Sequence, residues 1–155
     1  MKNKLIIIRG KTGGGKTTLV NRVGDEFGFD KLIFDEDIKK RFSRSNWFSG
    51  AGAIVNEKLR CGRSIVVEEA FLDKENFDNF FEAIDDLEKY DIFCVRLECL
   101  QNTSIKRKTD LSVQVVAGQF TREVYIIDDL KEFIINTENK SKEEVLNEFI
   151  ELGII

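Results

Sequence analysis

Residues Gly10 to Thr17, which read GKTGGGKT, match the pattern G-x-x-x-x-G-K-[ST] at each of its fixed positions. Glycines let the backbone curl so that successive N–H groups point inward and bind phosphate oxygens. In this pattern the lysine, here Lys16, reaches the β- and γ-phosphates, and the hydroxyl of Thr17 ligates Mg²⁺. The motif therefore predicts a nucleotide-binding loop. The residues expected to bind are Gly10, Lys11, Thr12, Gly13, Gly14, Gly15, Lys16, Thr17 and Thr18.

Acidic residues follow the second and third apolar segments that we interpret as strands. Asp35 and Asp37 follow the second segment, and Glu68 and Glu69 end the third. The carboxyl ends of strands in an open α/β sheet face the ligand crevice, so these carboxylates should lie near the glycine-rich loop. We expect Asp37, or alternatively Asp35, to deprotonate an acceptor hydroxyl, and Glu68 to hold Mg²⁺. The competing interpretation of the aspartates is a helix N-terminus, where the dipole favours acidic residues.

A basic segment at residues 106–108 follows the fourth predicted strand. Its arginine, Arg107, is expected to clamp the phosphates and to offset charge in the transition state. The two lysines beside it are equally typical of a solvated helix face. Four further residues are candidates for lining an acceptor pocket, although aromatic side chains are more often part of a core: Arg41, Arg44, Trp47 and Phe48.

Short apolar segments alternate with helical patterns along the whole chain. Lys4 to Arg9 (KLIIIR) shows no polar–apolar alternation, which is typical of a strand buried on both faces of a parallel sheet. The alternation of strands and helices predicts right-handed βαβ units, hence an α/β fold whose parallel sheet carries helices on both faces. Further strands are predicted at residues 31–34, 64–67, 91–97 and 132–135. Helices are predicted at 17–27, 37–59 (interrupted near 45–52), 73–90, 103–108, 113–120 and from the capping box of Ser141 and Glu144 onward.

Length and composition narrow the class of protein. The chain has 155 residues and no stretch with the composition of a linker, so we expect a single domain over residues 1–155. A net charge of −4 excludes a chain-wide basic surface for duplex nucleic acid, and no apolar run reaches the roughly 20 residues of a membrane span. The absence of histidine excludes Ser-His and Cys-His catalysis. Three cysteines without paired spacing are typical of free thiols and predict a cytoplasmic protein.

The chain resembles the small P-loop kinase-like proteins of the AAA-domain type, in the nucleoside-monophosphate-kinase-like and shikimate-kinase-like group of P-loop NTPases. The resemblance implies a three-layer fold with a five-stranded parallel sheet in the order 2-3-1-4-5, and ATP- and Mg²⁺-dependent phosphotransfer. It also implies that Lys16, Thr17 and Glu68 serve the nucleotide and metal, that Asp37 or Asp35 is the acceptor-side acid, and that Arg107 is a lid arginine. The segments that carry the resemblance are IIIRGKTGGGKTT, LIFDEDIKK, GRSIVVEEAF, CVRLECLQNTSIKRK and FIINTENKSKEEV.

The sequence thus predicts an ATP-dependent kinase that moves the γ-phosphate to an unidentified small molecule or nucleotide. A GTPase is disfavoured, because the nearest string to the guanine-reading N-K-x-D motif, NKSK at residues 139–142, lacks the aspartate. Two alternatives stay open: an NTP hydrolase, in which water attacks, and a non-catalytic nucleotide-binding module read by a partner. A nucleic-acid end as acceptor has no supporting feature in the sequence.

Overall fold

A five-stranded parallel sheet forms the centre of the computed structural model, which describes residues 1–123, 125 and 130–155. The strands are β1 (Lys4–Arg9), β2 (Asp30–Ile33), β3 (Ile65–Glu68), β4 (Asp91–Glu98) and β5 (Glu132–Asn136). Their order is β2-β3-β1-β4-β5, and each pair of neighbours is parallel. The predicted α/β fold and strand order are confirmed.

Helices cover both faces of this sheet. They are α1 (Lys16–Phe27), α2 (Trp47–Arg60), α3 (Lys74–Glu82), α4 (Gln101–Arg107), α5 (Val113–Phe120) and α6 (Lys142–Glu151). The apolar residues of α1 and α6 pack on one face, and those of α2 and α3 pack on the other. Within the described part of the chain, no helix combines the length and the apolar character that crossing a membrane requires.

The central strand β1 is buried on both of its faces. Leu5 and Ile7 pack with α2 and α3, whereas Ile6 and Ile8 pack with α1 and α6. All four side chains are fully buried. This explains why the segment lacks alternation, and it places the glycine-rich loop at the carboxyl edge of the sheet centre.

The break predicted inside the second helix lies in a different place. A π-helical turn at Phe34–Ile38 follows β2, and α2 then runs without interruption from Trp47. Gly50 and Gly52, within the segment predicted to be interrupted, instead let other residues pack closely against α2. A Cβ on Gly50 would lie 2.8 Å from the ring of Phe42, and one on Gly52 would overlap the carbonyl of Phe80.

The helix predicted at residues 73–90 is shorter in the structure, because α3 ends at Glu82. Asp86 then adopts a left-handed conformation with φ 52° ahead of a 3₁₀ turn at Leu87–Lys89. Acidic residues oppose the dipole at a helix C-terminus, and Asn56 of α2 accepts a hydrogen bond from the N–H of Asp85 at 3.1 Å. A tertiary contact therefore redirects the chain where periodicity alone predicted more helix.

Two shorter-range predictions are confirmed. Gly28 ends α1 in a left-handed conformation with φ 72°. Ser141 and Glu144 form the predicted capping box at the start of α6. All three cysteines are free thiols, and burial raises the pKa of Cys94 to about 12, so that thiol belongs to the core.

Candidate active site

The glycine-rich loop connects β1 to α1 and is pressed tightly against the carboxyl end of β4 and against α4. A Cβ on Gly10 would overlap the carbonyl of Leu97, and one on Gly13 would overlap the hydroxyl of Ser104. Both glycines also have positive φ, 134° and 76°, which other residues rarely adopt. The sequence of the loop is therefore required by its shape, and the N-terminus of α1 adds its dipole at the end of the loop.

Lys16 folds back over the loop that precedes it. Its Nζ donates hydrogen bonds to the carbonyl of Gly10 at 2.9 Å and to that of Lys11 at 3.2 Å. Burial lowers the pKa of Lys16, and the nearby carboxylates of Glu68 and Glu69 oppose that shift. A partly desolvated ammonium held by two carbonyls is suited to an anionic ligand, because phosphate oxygens would supply the negative charge that burial withholds.

Thr17 and Glu68 form the second polar pair of the site. The Thr17 hydroxyl donates to Oε2 of Glu68 at 2.7 Å, and Glu68 is only 7% exposed. Burial raises the pKa of Glu68, although Lys16 and the Thr17 hydrogen bond oppose that shift. A hydroxyl and a buried carboxylate in contact are hard oxygen ligands of the kind that Mg²⁺ takes beside phosphates, so the donor set fits the expected ion.

Glu69 faces a different way from Glu68. Its Oε2 accepts a hydrogen bond from the N–H of Phe71 at 2.7 Å, and Phe71 has a positive φ of 45°. Glu69 therefore supports the turn after β3. Of the two adjacent acids, Glu68 is the one against Thr17; its role as a metal ligand stays a prediction.

The two aspartates after β2 occupy different environments. Oδ2 of Asp37 accepts from the N–H of Ile33 at 2.7 Å, which ties Asp37 to its own turn. Asp35 pairs with Lys39 at 2.5 Å and is 73% exposed. The negative charge of Asp35 makes a minor contribution that raises the pKa of both Lys16 and Glu68. The carboxylate of Asp37 is thus bonded within its own turn and that of Asp35 is exposed; which of the two is the acceptor-side acid stays a prediction.

Arg107 lies on the other side of the loop, against the connection that follows β5. It donates to the carbonyl of Gly13 at 3.2 Å, and to the hydroxyl and carbonyl of Thr137 at 3.0 and 2.9 Å. In this conformation Arg107 joins α4, the loop and the end of β5. Its predicted action on the phosphates stays a prediction.

A cleft of about 510 Å³ opens beside the loop, between the start of α2, the turn after β3, α3 and α5. We call it the acceptor cleft. Three of the four residues predicted to line an acceptor pocket, Arg44, Trp47 and Phe48, do line it. Part of its lining is polar: Lys39, Arg44, Ser45, Glu69, Asp73, Glu75, Asn76, Asn79, Gln119 and Arg122.

Solved structures resemble this chain over almost its whole length, although no protein family model and no curated protein sequence matches it. A sugar kinase from Janibacter sp. has a TM-score of 0.74 at 14% identity, with 99% of this chain and 96% of that chain covered. A gluconokinase from Sinorhizobium meliloti has a TM-score of 0.70 at 13% identity, with 94% and 88% covered. The APS kinase of Mycobacterium tuberculosis, solved with AMPPNP and APS, has a TM-score of 0.71 at 18% identity, with 97% of both chains covered. The chain has the fold of the small P-loop kinases.

This kinase fold confirms the resemblance that the sequence motifs indicated. The TM-scores of 0.70 to 0.74 establish the architecture, whereas the identities of 13 to 18% leave the acceptor unidentified. The acceptor must therefore be argued from the side chains of this chain.

Sequence reasoning missed several residues that this kinase fold brings to the loop. Oε1 of Gln119 accepts from the N–H of Thr12 at 2.7 Å, and the Ser104 hydroxyl donates to the carbonyl of Thr12. The signal for Gln119 was a polar residue near the end of an otherwise apolar helix, VQVVAGQF. Periodicity alone cannot show that this helix returns to a loop about 100 residues earlier in the chain.

Arg9 was also missed. It is fully buried at the end of β1, and it donates to the carbonyls of Phe71, at 2.8 Å, and of Tyr125. An ion pair of 3.3 Å joins Arg9 to Glu132, and burial lowers the pKa of Arg9. The sequence signal was an arginine that closes an apolar strand directly before the loop. Arg9 therefore connects the end of β1, directly before the loop, to the turn after β3 and to β5.

Proposed function

We propose that this protein is an ATP- and Mg²⁺-dependent kinase that transfers the γ-phosphate to a small molecule bound in the acceptor cleft. The observation that carries the proposal is the convergence of Lys16 with the Thr17–Glu68 pair beside a cleft large enough for a small substrate. The cleft and the loop share a boundary, because Gln119 lines the first and is hydrogen-bonded to the second. A terminal phosphate on the loop would thus lie next to an acceptor in the cleft.

The nucleotide side would act through fixed charge and fixed geometry. Backbone N–H groups of the loop and the N-terminus of α1 would bind the phosphates, and Lys16 would supply a positive charge. Thr17 and Glu68 would hold Mg²⁺. When bound, that ion would offset the negative charge of the phosphates. The short Thr17–Glu68 contact supports this assignment, because the two oxygens already lie together.

The acceptor side needs a carboxylate that receives the hydroxyl proton as the new P–O bond forms. Asp35 is proposed for this role, with Asp37 as the alternative, because the carboxylate of Asp37 already accepts a hydrogen bond from the N–H of Ile33. Asp35 now pairs with Lys39, which lines the acceptor cleft. A carboxylate between the cleft and the loop can orient an attacking hydroxyl in line with the leaving group.

The lining of the cleft favours a hydroxylated acceptor that carries an acidic group. The guanidinium of Arg44 lies 5.9 Å from the ring centre of Trp47, and among the described residues it forms no ion pair. Asn76 and Asn79 offer amide groups from α3 on the opposite wall. Amides suit hydroxyl groups, and an unpaired arginine suits an acid. The sugar kinase and the gluconokinase among the structural neighbours agree with a polyhydroxylated acceptor.

An acceptor screen tests this proposal. Wild-type protein and Lys16→Ala would be incubated with Mg-ATP and a panel of sugars, sugar acids and nucleosides, and mass spectrometry would detect the gain of one phosphate. We expect at least one hydroxylated acid to be phosphorylated by the wild type and none by the variant. ATP hydrolysis that no acceptor stimulates would favour the hydrolase, and tight binding of Mg-ATP without turnover would favour the non-catalytic module.

A further inference from the structure

One peptide of the glycine-rich loop is bonded on both of its sides. The carbonyl of Lys11 accepts from Nζ of Lys16 at 3.2 Å, and the N–H of Thr12, in the same peptide unit, donates to Oε1 of Gln119 at 2.7 Å. The C=O and N–H of a trans peptide point in opposite directions. The peptide therefore lies between the phosphate-binding lysine on one side and helix α5 on the other.

The contact of Gln119 is chemically unambiguous. Because a backbone N–H can only donate, the side-chain oxygen of Gln119, and not its NH₂, must face Thr12. Lys11 adds a second contact to the same helix end, with Nζ 3.4 Å from the carbonyl of Phe120 and 4.8 Å from the centre of its ring. The end of α5 is thus fixed on the loop by polar side chains.

The backbone continues the connection into the acceptor cleft. The N–H of Arg122 donates to the carbonyl of Gln119 at 3.3 Å, and the Arg122 side chain pairs with Asp73 in the cleft. Arg122 lies two residues beyond the end of α5 and places a cation in the lining of the cleft. A phosphoryl group in transfer carries negative charge between loop and cleft, where an arginine can offset it.

We infer that Gln119 is a positioning residue that fixes α5 on the glycine-rich loop and so holds Arg122 at the boundary between nucleotide and acceptor. The inference rests on the proposed kinase function and adds to it a residue that acts through another. A misplacement of a charged group by about 1 Å can lower a rate by up to about a hundredfold, so loss of this contact should affect turnover more than binding.

The test compares Gln119→Met with Gln114→Met. Both glutamines lie on α5, but Gln114 is exposed and its side chain has no hydrogen-bond partner among the described residues. Methionine keeps the approximate size of glutamine and removes the acceptor oxygen. With Mg-ATP as the probe and water as the acceptor, we expect Gln119→Met to lower turnover about tenfold while the Kd of Mg-ATP stays within about twofold. Gln114→Met should leave both unchanged.

A double-substitution cycle separates positioning from a general structural role. If Gln119 acts through Arg122, turnover of Gln119→Met combined with Arg122→Met should equal that of Arg122→Met alone. Gln119→Glu keeps an acceptor oxygen for Thr12, so its α5 amides should retain the hydrogen-exchange protection of the wild type. Additive losses, or equal α5 protection in Gln119→Met and the wild type, would overturn the inference.

The outcomes also distinguish this inference from the proposed function. Wild-type turnover together with an unaltered Gln119→Met would overturn the role of Gln119 alone. A wild-type protein that transfers phosphate neither to water nor to any acceptor of the screen, or that does not bind Mg-ATP, would overturn both; where transfer needs the acceptor, the same variants are compared in its presence. Melting temperatures of all variants would show whether a loss of turnover comes from unfolding. If Gln119→Met unfolds, the hydrogen-exchange protection of α5 in Gln119→Glu decides whether the contact with Thr12 fixes the helix.

Discussion

The nucleotide side and the acceptor side of the cleft are built in different ways. The nucleotide side consists mainly of one continuous segment, Gly10 to Thr18, whose shape follows from local glycine geometry and from the helix it precedes. The acceptor side collects residues from the β2–α2 connection, the turn after β3, α3 and α5. A phosphate group is common to all nucleotides, so a local motif can recognise it, whereas an acceptor is recognised by side chains that only folding brings together.

Substitutions on the two sides should therefore have different effects on binding and on transfer. In the proposed kinase, a substitution in the loop would act on a group that is expected to touch phosphate directly, so its effect on binding should be large. A substitution in the acceptor cleft removes one contact among several and should act mainly on transfer. Four measurements test this expected difference between the two sides.

Lys16→Ala should have the largest effect. Loss of the ammonium removes the positive charge expected at the phosphates, so calorimetric titration should show no measurable Mg-ATP binding. The folded structure should persist, because among the described residues Lys16 donates only to loop carbonyls. Lys89→Ala is the matched control, because Lys89 is exposed and pairs with Asp86 in the 3₁₀ turn before β4. Unchanged affinity in Lys16→Ala would remove the loop from nucleotide binding.

Asp35→Asn should have the second-largest effect. It is expected to lower the rate of phosphoryl transfer and to leave Mg-ATP affinity unchanged. Removal of a general base typically lowers a rate about 10²–10⁴-fold, and Asp35 pairs with Lys39 of its own turn, outside the loop expected to bind ATP. Phosphate gain of the acceptor found in the screen would be timed, with Mg-ATP affinity measured in parallel. Asp37→Asn is the comparison variant, since its carboxylate already accepts from Ile33. A larger loss of transfer rate in Asp37→Asn than in Asp35→Asn would assign the acceptor-side role to Asp37 instead.

The metal pair should give a smaller, concentration-dependent effect. Thr17→Ala and Glu68→Gln should each raise the Mg²⁺ concentration for half-maximal turnover by about tenfold or more, because each removes an oxygen ligand or weakens it. Glu69→Gln should leave that concentration unchanged, because Glu69 supports the turn at Phe71. A shift in Glu69→Gln alone would move the metal to the neighbouring acid.

The smallest expected effect is on the stability of the ligand-free protein. Burial raises the pKa of Glu68 above its value in the unfolded chain, so the folded state retains this proton to higher pH than the unfolded state does. Stability should therefore fall as pH rises between the unfolded and the folded pKa. Glu68→Gln should raise the melting temperature at pH 7 and have less effect below the unfolded pKa. A lower melting temperature at pH 7 would show that the ionised carboxylate is stabilising.

Much of the fold could be predicted because local patterns carried it. A few adjacent residues were enough to predict three features: the buried strand β1, the capping box at Ser141 and the glycine that ends α1. The errors occurred where a distant contact overrides the local pattern. Gly50 and Gly52 looked like helix breakers, yet they admit Phe42 and the Phe80 carbonyl, and Asn56 redirects the chain after α3.

The sequence by itself determined the glycine-rich loop, since the glycines and Lys16 lie close together in the chain and their geometry is local. It also placed acids at the ends of β2 and β3. Only the tertiary structure decided that Glu68 meets Thr17, that Asp37 bonds within its own turn, and that Arg107 bonds to Thr137. Contact between residues far apart in the chain depends on how helices pack on the sheet. Gln119 reaches Thr12 across 107 positions, and no spacing in the sequence encodes that meeting.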